Sequence, residues 1–261
     1  MSLYSIGLVS ATLRQLPPSE VIDIATQANL RKIEWSADRH VPHGELDVAS
    51  KVQKQSSEAG MEIICYGSYY RIGSSEEEKL SFETILTTAQ VLKAPTIRVW
   101  AGIQASAFTS TSHRKWMVDE TKRICQKAGE AATNVALEYI RDTMTDSLEA
   151  CLSFIDEVNE PNLLTLWQPQ EKVNAEDCMD ELDCLVDCLA HIHVNTRDLS
   201  NGERINVEEA DAFWPPILHA FAENRKPTNL LIEFVKTNSK EQLMDDAVTL
   251  QRWIDEVEIS L

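Results

Sequence analysis

The chain has 261 residues, enough to bury a large core, and either one α/β barrel or two small domains would fit. Its 24 Lys plus Arg face 42 Asp plus Glu, a formal net charge of -18, which repels phosphate backbones and disfavours a general nucleic-acid binder. No stretch approaches the roughly 20 apolar residues that span a bilayer, and "MSLYSIGLVSATLRQLPPSE" lacks the features of a signal peptide, so a cytoplasmic protein with no membrane partner is expected.

Taken in chain order, "SIGLVS" (5 to 10) reads as a strand, and the amphipathic run 18 to 29, announced by Pro17, Pro18 and Ser19, as a helix. "KIEWS" (32 to 36) precedes a helical pattern over 46 to 59, and "EIICYG" (62 to 67) precedes one over 76 to 93. "TIRVWAG" (96 to 102) leads to a helix over 112 to 132, and "NVALEYI" (134 to 140) to one over 145 to 158 opened by Thr145. "NLLTLWQ" (162 to 168), "AHIHVN" (190 to 195) and "NLLIEFV" (229 to 235) are strands followed by helices over 176 to 187, 207 to 224 and 239 to 257.

Eight βα units with no long linker or low-complexity tract predict an α/β fold, a (β/α)8 TIM barrel forming a single domain over residues 1–261. The open doubly wound sheet would carry GxGxxG after its first strand, but "GLVSATLRQL" has one glycine and then none. Six cysteines lack any CxxC pair; Cys178, Cys184 and Cys188 have spacings that suit helix packing, so free thiols are expected.

"VALEYI" places the carboxylate of Glu138 in an otherwise apolar strand, and burying such a charge without a partner costs several kcal/mol. Period-two alternation turns Glu138 into the barrel above Asn134 and Ala136. Barrel enzymes draw their catalytic groups from strand C-termini, and the late strands close on Glu138, Gln168, His193 and Glu233. Two carboxylates, an amide oxygen and an imidazole suit a divalent ion such as Mn2+, Mg2+, Co2+ or Zn2+, which would stabilise both buried charges. His191, two residues before His193, points the same way one layer deeper and is expected to support the site.

The early strands add Glu34, Trp35 and His40, Tyr66, and Arg98 with Trp100 as candidate substrate contacts. Aromatic rings beside polar groups suit a carbohydrate, and Arg98, Arg141, Arg197 and Lys236 could hold a phosphate or carboxylate. Each has an ordinary alternative: Trp35 and Trp100 as core residues, the arginines as salt-bridge partners.

The segments "GLVSATLR", "KIEWSADRHVPHGE", "AGMEIICYGSYYRIG", "APTIRVWAG", "VALEY", "PNLLTLWQP", "HIHV" and "LIEFV" resemble, in order and over essentially the whole chain, the sugar phosphate isomerase/epimerase family of the xylose-isomerase-like TIM-barrel superfamily. The resemblance implies a divalent metal on Glu138, Gln168, His193 and Glu233. It also implies Glu138 and Glu233 as acid and base on opposite faces of the substrate carbon, with a cis-enediolate stabilised between them. The expected partner is a sugar or sugar phosphate, and a homodimer is compatible. Gln168 stands where the best-known epimerases have aspartate, so the site carries one negative charge fewer. Two other readings compete: a non-catalytic barrel that binds a carbohydrate, and an abasic-site endonuclease, which six histidines and the acidic charge disfavour.

Overall fold

The structure, a computed structural model, describes residues 2–261. Its strands are β1 (Tyr4–Val9), β2 (Lys32–Ser36), β3 (Glu62–Arg71), β4 (Thr96–Trp100), β5 (Asn134–Glu138), β6 (Leu163–Trp167), β7 (Leu189–Val194) and β8 (Thr228–Ile232). They alternate with α1 (Pro18–Gln27), α2 (Leu46–Glu58), α3 (Phe82–Leu92), α4 (Thr111–Glu130), α5 (Leu148–Val158), α6 (Ala175–Leu185), α7 (Trp214–Ala222) and α8 (Lys240–Ser260). The strands close in sequential order into one parallel barrel, the expected (β/α)8 fold. No helix among the described residues is long and apolar enough to cross a membrane, and the six cysteines are free.

The chain groups into two compact units. One contains the residues up to Glu34, Gln55–Glu62 and Trp167–Leu261; the other contains Trp35–Lys54 and Ile63–Leu166. In the first unit, β1 pairs with β8 from Tyr4↔Thr228 to Leu8↔Ile232, and β7 pairs with β8 at His193↔Leu231. Gly7 lies opposite Lys32 and Leu231, and a Cβ there would come within 2.4 Å of the Lys32 carbonyl and 2.5 Å of Leu231 Cδ2. Gly7→Ala is therefore expected to cost about 1–3 kcal/mol in urea unfolding through overpacking; a change below about 0.5 kcal/mol would show that these strands shift freely.

In the second unit β3, β4, β5 and β6 pair in parallel, with Gly67↔Arg98, Arg98↔Ala136 and Ala136↔Leu164 on one register line. Glycine and alanine on either side of Arg98 leave room for its long side chain. Helix α5 buries Cys151, Phe154 and Val158, a helical stripe against the sheet.

Four elements depart from the sequence expectation. Strand β3 continues to Arg71 through an irregularity between Gly67 and Tyr70, where Tyr69 adopts φ +55°. Helix α3 begins at Phe82 rather than 76, because Ser81 caps it and Lys79 has positive φ. Ser147, not Thr145, caps α5; the Thr145 hydroxyl donates to the Glu138 carbonyl at 2.8 Å instead. The expected helix over 207–224 splits into a 3-10 turn (Val207–Ala210) and α7, since Pro215 and Pro216 are tolerated only in a first turn.

Candidate active site

In the second unit, the end of β5 carries Glu138, 3% exposed, and the neighbouring β4 answers it with two donors. The Arg98 guanidinium forms a buried ion pair with Glu138 Oε2, and Trp100 Nε1 donates to the same oxygen. Burying both ions is tolerable because each is hydrogen-bonded as well as paired. The Ser68 hydroxyl donates to the Arg98 carbonyl at 2.6 Å, and the Tyr69 ring lies 4.8 Å from the guanidinium carbon. Tyr69 also meets Trp100 edge-on at 5.7 Å, so its positive-φ backbone places a ring against both of Glu138's donors. A non-glycine residue in that conformation costs about 1–3 kcal/mol, and such outliers gather at functional sites.

In the first unit, a second carboxylate group runs along β2, β7 and β8. Glu34 is fully buried, and its Oε2 lies 3.1 Å from His191 Nε2 and 3.2 Å from His193 Nε2. On the other side of its ring, His193 Nδ1 is 3.6 Å from Glu233 Oε1. Burial drives the His193 pKa down, but Glu233 and Glu34 together outweigh it and hold the group at about 10. Asn195, two residues beyond His193, places Nδ2 3.5 Å from Glu233 Oε2.

Two buried polar atoms here have no hydrogen-bond partner: His193 Nδ1 and Asn195 Oδ1. At 3.6 Å the former is too far from Glu233 for a hydrogen bond. An imidazole nitrogen, an amide oxygen and a carboxylate, two of them unsatisfied, are the donor types a divalent ion of the Mn2+ or Zn2+ kind takes. These residues fit a metal that takes the place of the His193 Nδ1 proton, which Glu233 and Glu34 hold on the ring in its absence. Gln168, directly after β6, belongs to this first unit and is 8% exposed, buried like its neighbours.

The structure thus joins Arg98 and Trp100 to Glu138, and Glu34 to His193. The other candidate contacts lie elsewhere. Trp35 and His40 are buried edge-to-face against each other at 5.5 Å, and the Tyr66 hydroxyl donates to the Val41 carbonyl at 2.9 Å. Arg197 Nη1 donates to the Gly202 carbonyl at 2.9 Å. Arg71 stacks over Trp100 at 4.9 Å, and with Ile140 and Arg141 these residues line an open cavity of about 340 Å3. Asn195 was not among the expected ligands, although the period-two spacing from His193 would have placed it on the same face.

A family model described as a xylose isomerase-like TIM barrel matches residues 22–256. A 3-dehydroshikimate dehydratase of Bacillus anthracis is 24% identical over 233 residues, covering 85% of this chain and 79% of its own. Among solved structures, a probable 3-DHS dehydratase from Bacillus anthracis superposes with a TM-score of 0.80 at 19% identity, covering 95% of this chain and 98% of that one. A D-allulose 3-epimerase from Methylomonas sp. gives a TM-score of 0.72 at 13% identity, with 97% and 99% covered. At these identities the structural likeness speaks for the fold.

Proposed function

The chain belongs to the xylose isomerase-like TIM barrel family, and from that premise we propose that it is a metal-dependent enzyme that removes the proton next to a carbonyl of a small polyhydroxylated substrate. The observation that carries the reading is the pair of unsatisfied buried donors, His193 Nδ1 and Asn195 Oδ1, beside Glu233. Glu233, His193 and Asn195 would hold the ion, with Gln168 of the same unit as a further ligand. When bound, a divalent ion supplies positive charge to the substrate oxygens as negative charge develops there.

The chain's own residues do the rest. Glu233 takes the proton, and the C–H electrons move into the carbonyl to give an enediolate. Glu138, fixed through Oε2 by Arg98 and Trp100, is the second carboxylate available for proton transfer. Returning the proton to the neighbouring carbon isomerises the substrate, and returning it to the opposite face epimerises it. Glu34 fixes the tilt of the His193 ring and acts on the chemistry only through it.

A second fate of the same intermediate is loss of the β-hydroxyl as water, and the resemblance to a dehydratase over 85% of the chain favours it. Both fates share the first step, so one experiment tests the reading. In D2O with Mn2+, a panel of polyhydroxylated ketones that includes 3-dehydroshikimate is followed by NMR for solvent exchange and by ultraviolet absorbance for dehydration. Deuterium exchange or dehydration that stops with chelator is expected. Absence of Mn2+ binding by calorimetry at millimolar metal would sink the reading. Asn195→Leu is expected to weaken Mn2+ binding about 10-fold or more, and an unchanged affinity would remove Asn195 from the ligand set.

A further inference from the structure

We propose that the cleft over Trp116 binds one ring of a neutral, hydroxylated two-ring compound, a glycoside, whose other ring occupies the adjoining cavity beside Trp100. This deepens the preceding reading and rests on it in one respect, namely that the Glu138 end of β5 is where substrate reacts.

The cleft lies in the second unit, where the segments after β3 and β4 meet the first turns of α4, and measures about 660 Å3. Two glycines build it. Gly73 follows β3 with φ +82°, and a Cβ there would lie 2.5 Å from both Cζ3 and Cη2 of Trp116. Gly102 follows β4 with φ +81°, and a Cβ there would lie 3.2 Å from Cε of Met117. The chain gives up a side chain at both strand ends, in a conformation other residues rarely adopt, and an indole settles against the backbone. Four of the six tryptophans are buried, whereas Trp116 is 40% exposed. The surrounding segments are anchored: the Trp100 carbonyl accepts from the N–H groups of Ile72 at 3.0 Å and Gly102 at 2.9 Å, and Asp146 Oδ2 accepts from Ser106 N–H at 3.1 Å.

The wall sets the chemistry of the ligand. Ser74, Glu77, Gln104 and His113 share the cleft with the indole and offer hydroxyl, carboxylate, amide and imidazole groups, donors as well as acceptors. The His113 ring packs tilted against Trp116 with 5.2 Å between centres. An aromatic face beside such groups suits a sugar ring, whose C–H face packs on the indole while its hydroxyls meet the polar side chains. The wall has a carboxylate and neither lysine nor arginine, so it repels an anion. A quaternary ammonium ligand is best held by several ring faces, and the cleft has one indole. The length of the ligand follows from adjacency. Gly102 and Ile103 also line the cavity of about 340 Å3 that contains Trp100, the residue that donates to Glu138. A single ring occupies one of these spaces, and two linked rings span both.

The test is binding to the full-length protein in excess chelator, which removes metal chemistry from the measurement. Calorimetry and acrylamide quenching of tryptophan fluorescence are run with cellobiose and maltose as two-ring probes, glucose as the one-ring control, quinate as an anion and choline as a cation. Saturable binding of at least one disaccharide, about 10-fold or more tighter than glucose, with protection from quenching, is expected. Trp116→Ala should weaken that binding about 10-fold, equivalent to 1.4 kcal/mol, and abolish the protection. Gln104→Ala, on an exposed connection, should weaken it about 3-fold and guards against a folding defect in the other variant. No saturable disaccharide binding, glucose bound as tightly, affinity unchanged in both variants, or quinate or choline binding that Trp116→Ala weakens overturns the proposal. So does a dimer that Trp116→Ala dissociates, since the cleft then belongs to a second copy of the chain. Disaccharide binding without metal-dependent exchange on any ketone leaves the cleft standing and defeats the reaction; exchange that Trp116→Ala leaves unchanged, with no disaccharide bound, does the reverse.

Discussion

Replacing Arg98 with methionine is expected to destabilise the protein by about 3–5 kcal/mol, a large share of a domain's net stability. Arg98 is 2% exposed and Glu138 3%, so methionine would leave the carboxylate out of reach of water with only Trp100 Nε1 among its two described donors. The cation also lies over the Tyr69 ring, and that contact goes with it. Urea unfolding with the double variant Arg98→Met/Glu138→Leu separates the causes. If the uncompensated charge dominates, the double variant recovers more than half of the loss, because an apolar pair of similar volume is tolerated where a lone ion is not. A single variant within about 1 kcal/mol of the wild type would mean that Glu138 is not dependent on Arg98.

The same pair shows why the strand ends could be read from the sequence and their partners only in part. A parallel barrel buries both faces of every strand, so its strands appear as short continuous apolar runs, and a polar residue closing such a run stands out. Glu138, His193 and Glu233 were visible for that reason. Arg98 sits inside the run "TIRVW", where its charge marked it as a candidate, but the sequence could not say that Glu138 is what it meets. That pairing depends on register, Arg98 opposite Ala136, two residues below the carboxylate.

Where the sequence was misread, the cause is local and physical. Gly67 and Ser68 look like the end of β3, yet the Ser68 hydroxyl is satisfied by the Arg98 carbonyl and the strand continues through a bulge. The acidic run 76–78 carries the composition of a helix start, but Ser81 supplies the cap five residues after Glu76. Gly73 lies in the connection after β3 and Trp116 in α4, so nothing in their spacing ties them together. Their meeting requires a strand end without a Cβ, which an isolated glycine in the sequence does not announce.

Glu233→Gln is expected to fold and to lower proton exchange or dehydration about 10^2- to 10^4-fold, the range for loss of a general base. The isosteric amide keeps one oxygen, toward either His193 Nδ1 or Asn195 Nδ2, places its NH2 group at the other, and cannot accept the substrate proton. It is also a weaker ligand, so the loss measured at low Mn2+ mixes two effects, weaker metal binding and a missing base. Raising Mn2+ until binding saturates removes the first and leaves the second. A rate that stays at least 100-fold down under saturating Mn2+ assigns proton transfer to Glu233. A rate restored to within a few-fold of the wild type would show that Glu233 only holds the ion. In that case Glu138→Gln, measured in the same way, should carry the loss, since Glu138 is the other buried carboxylate proposed for proton transfer.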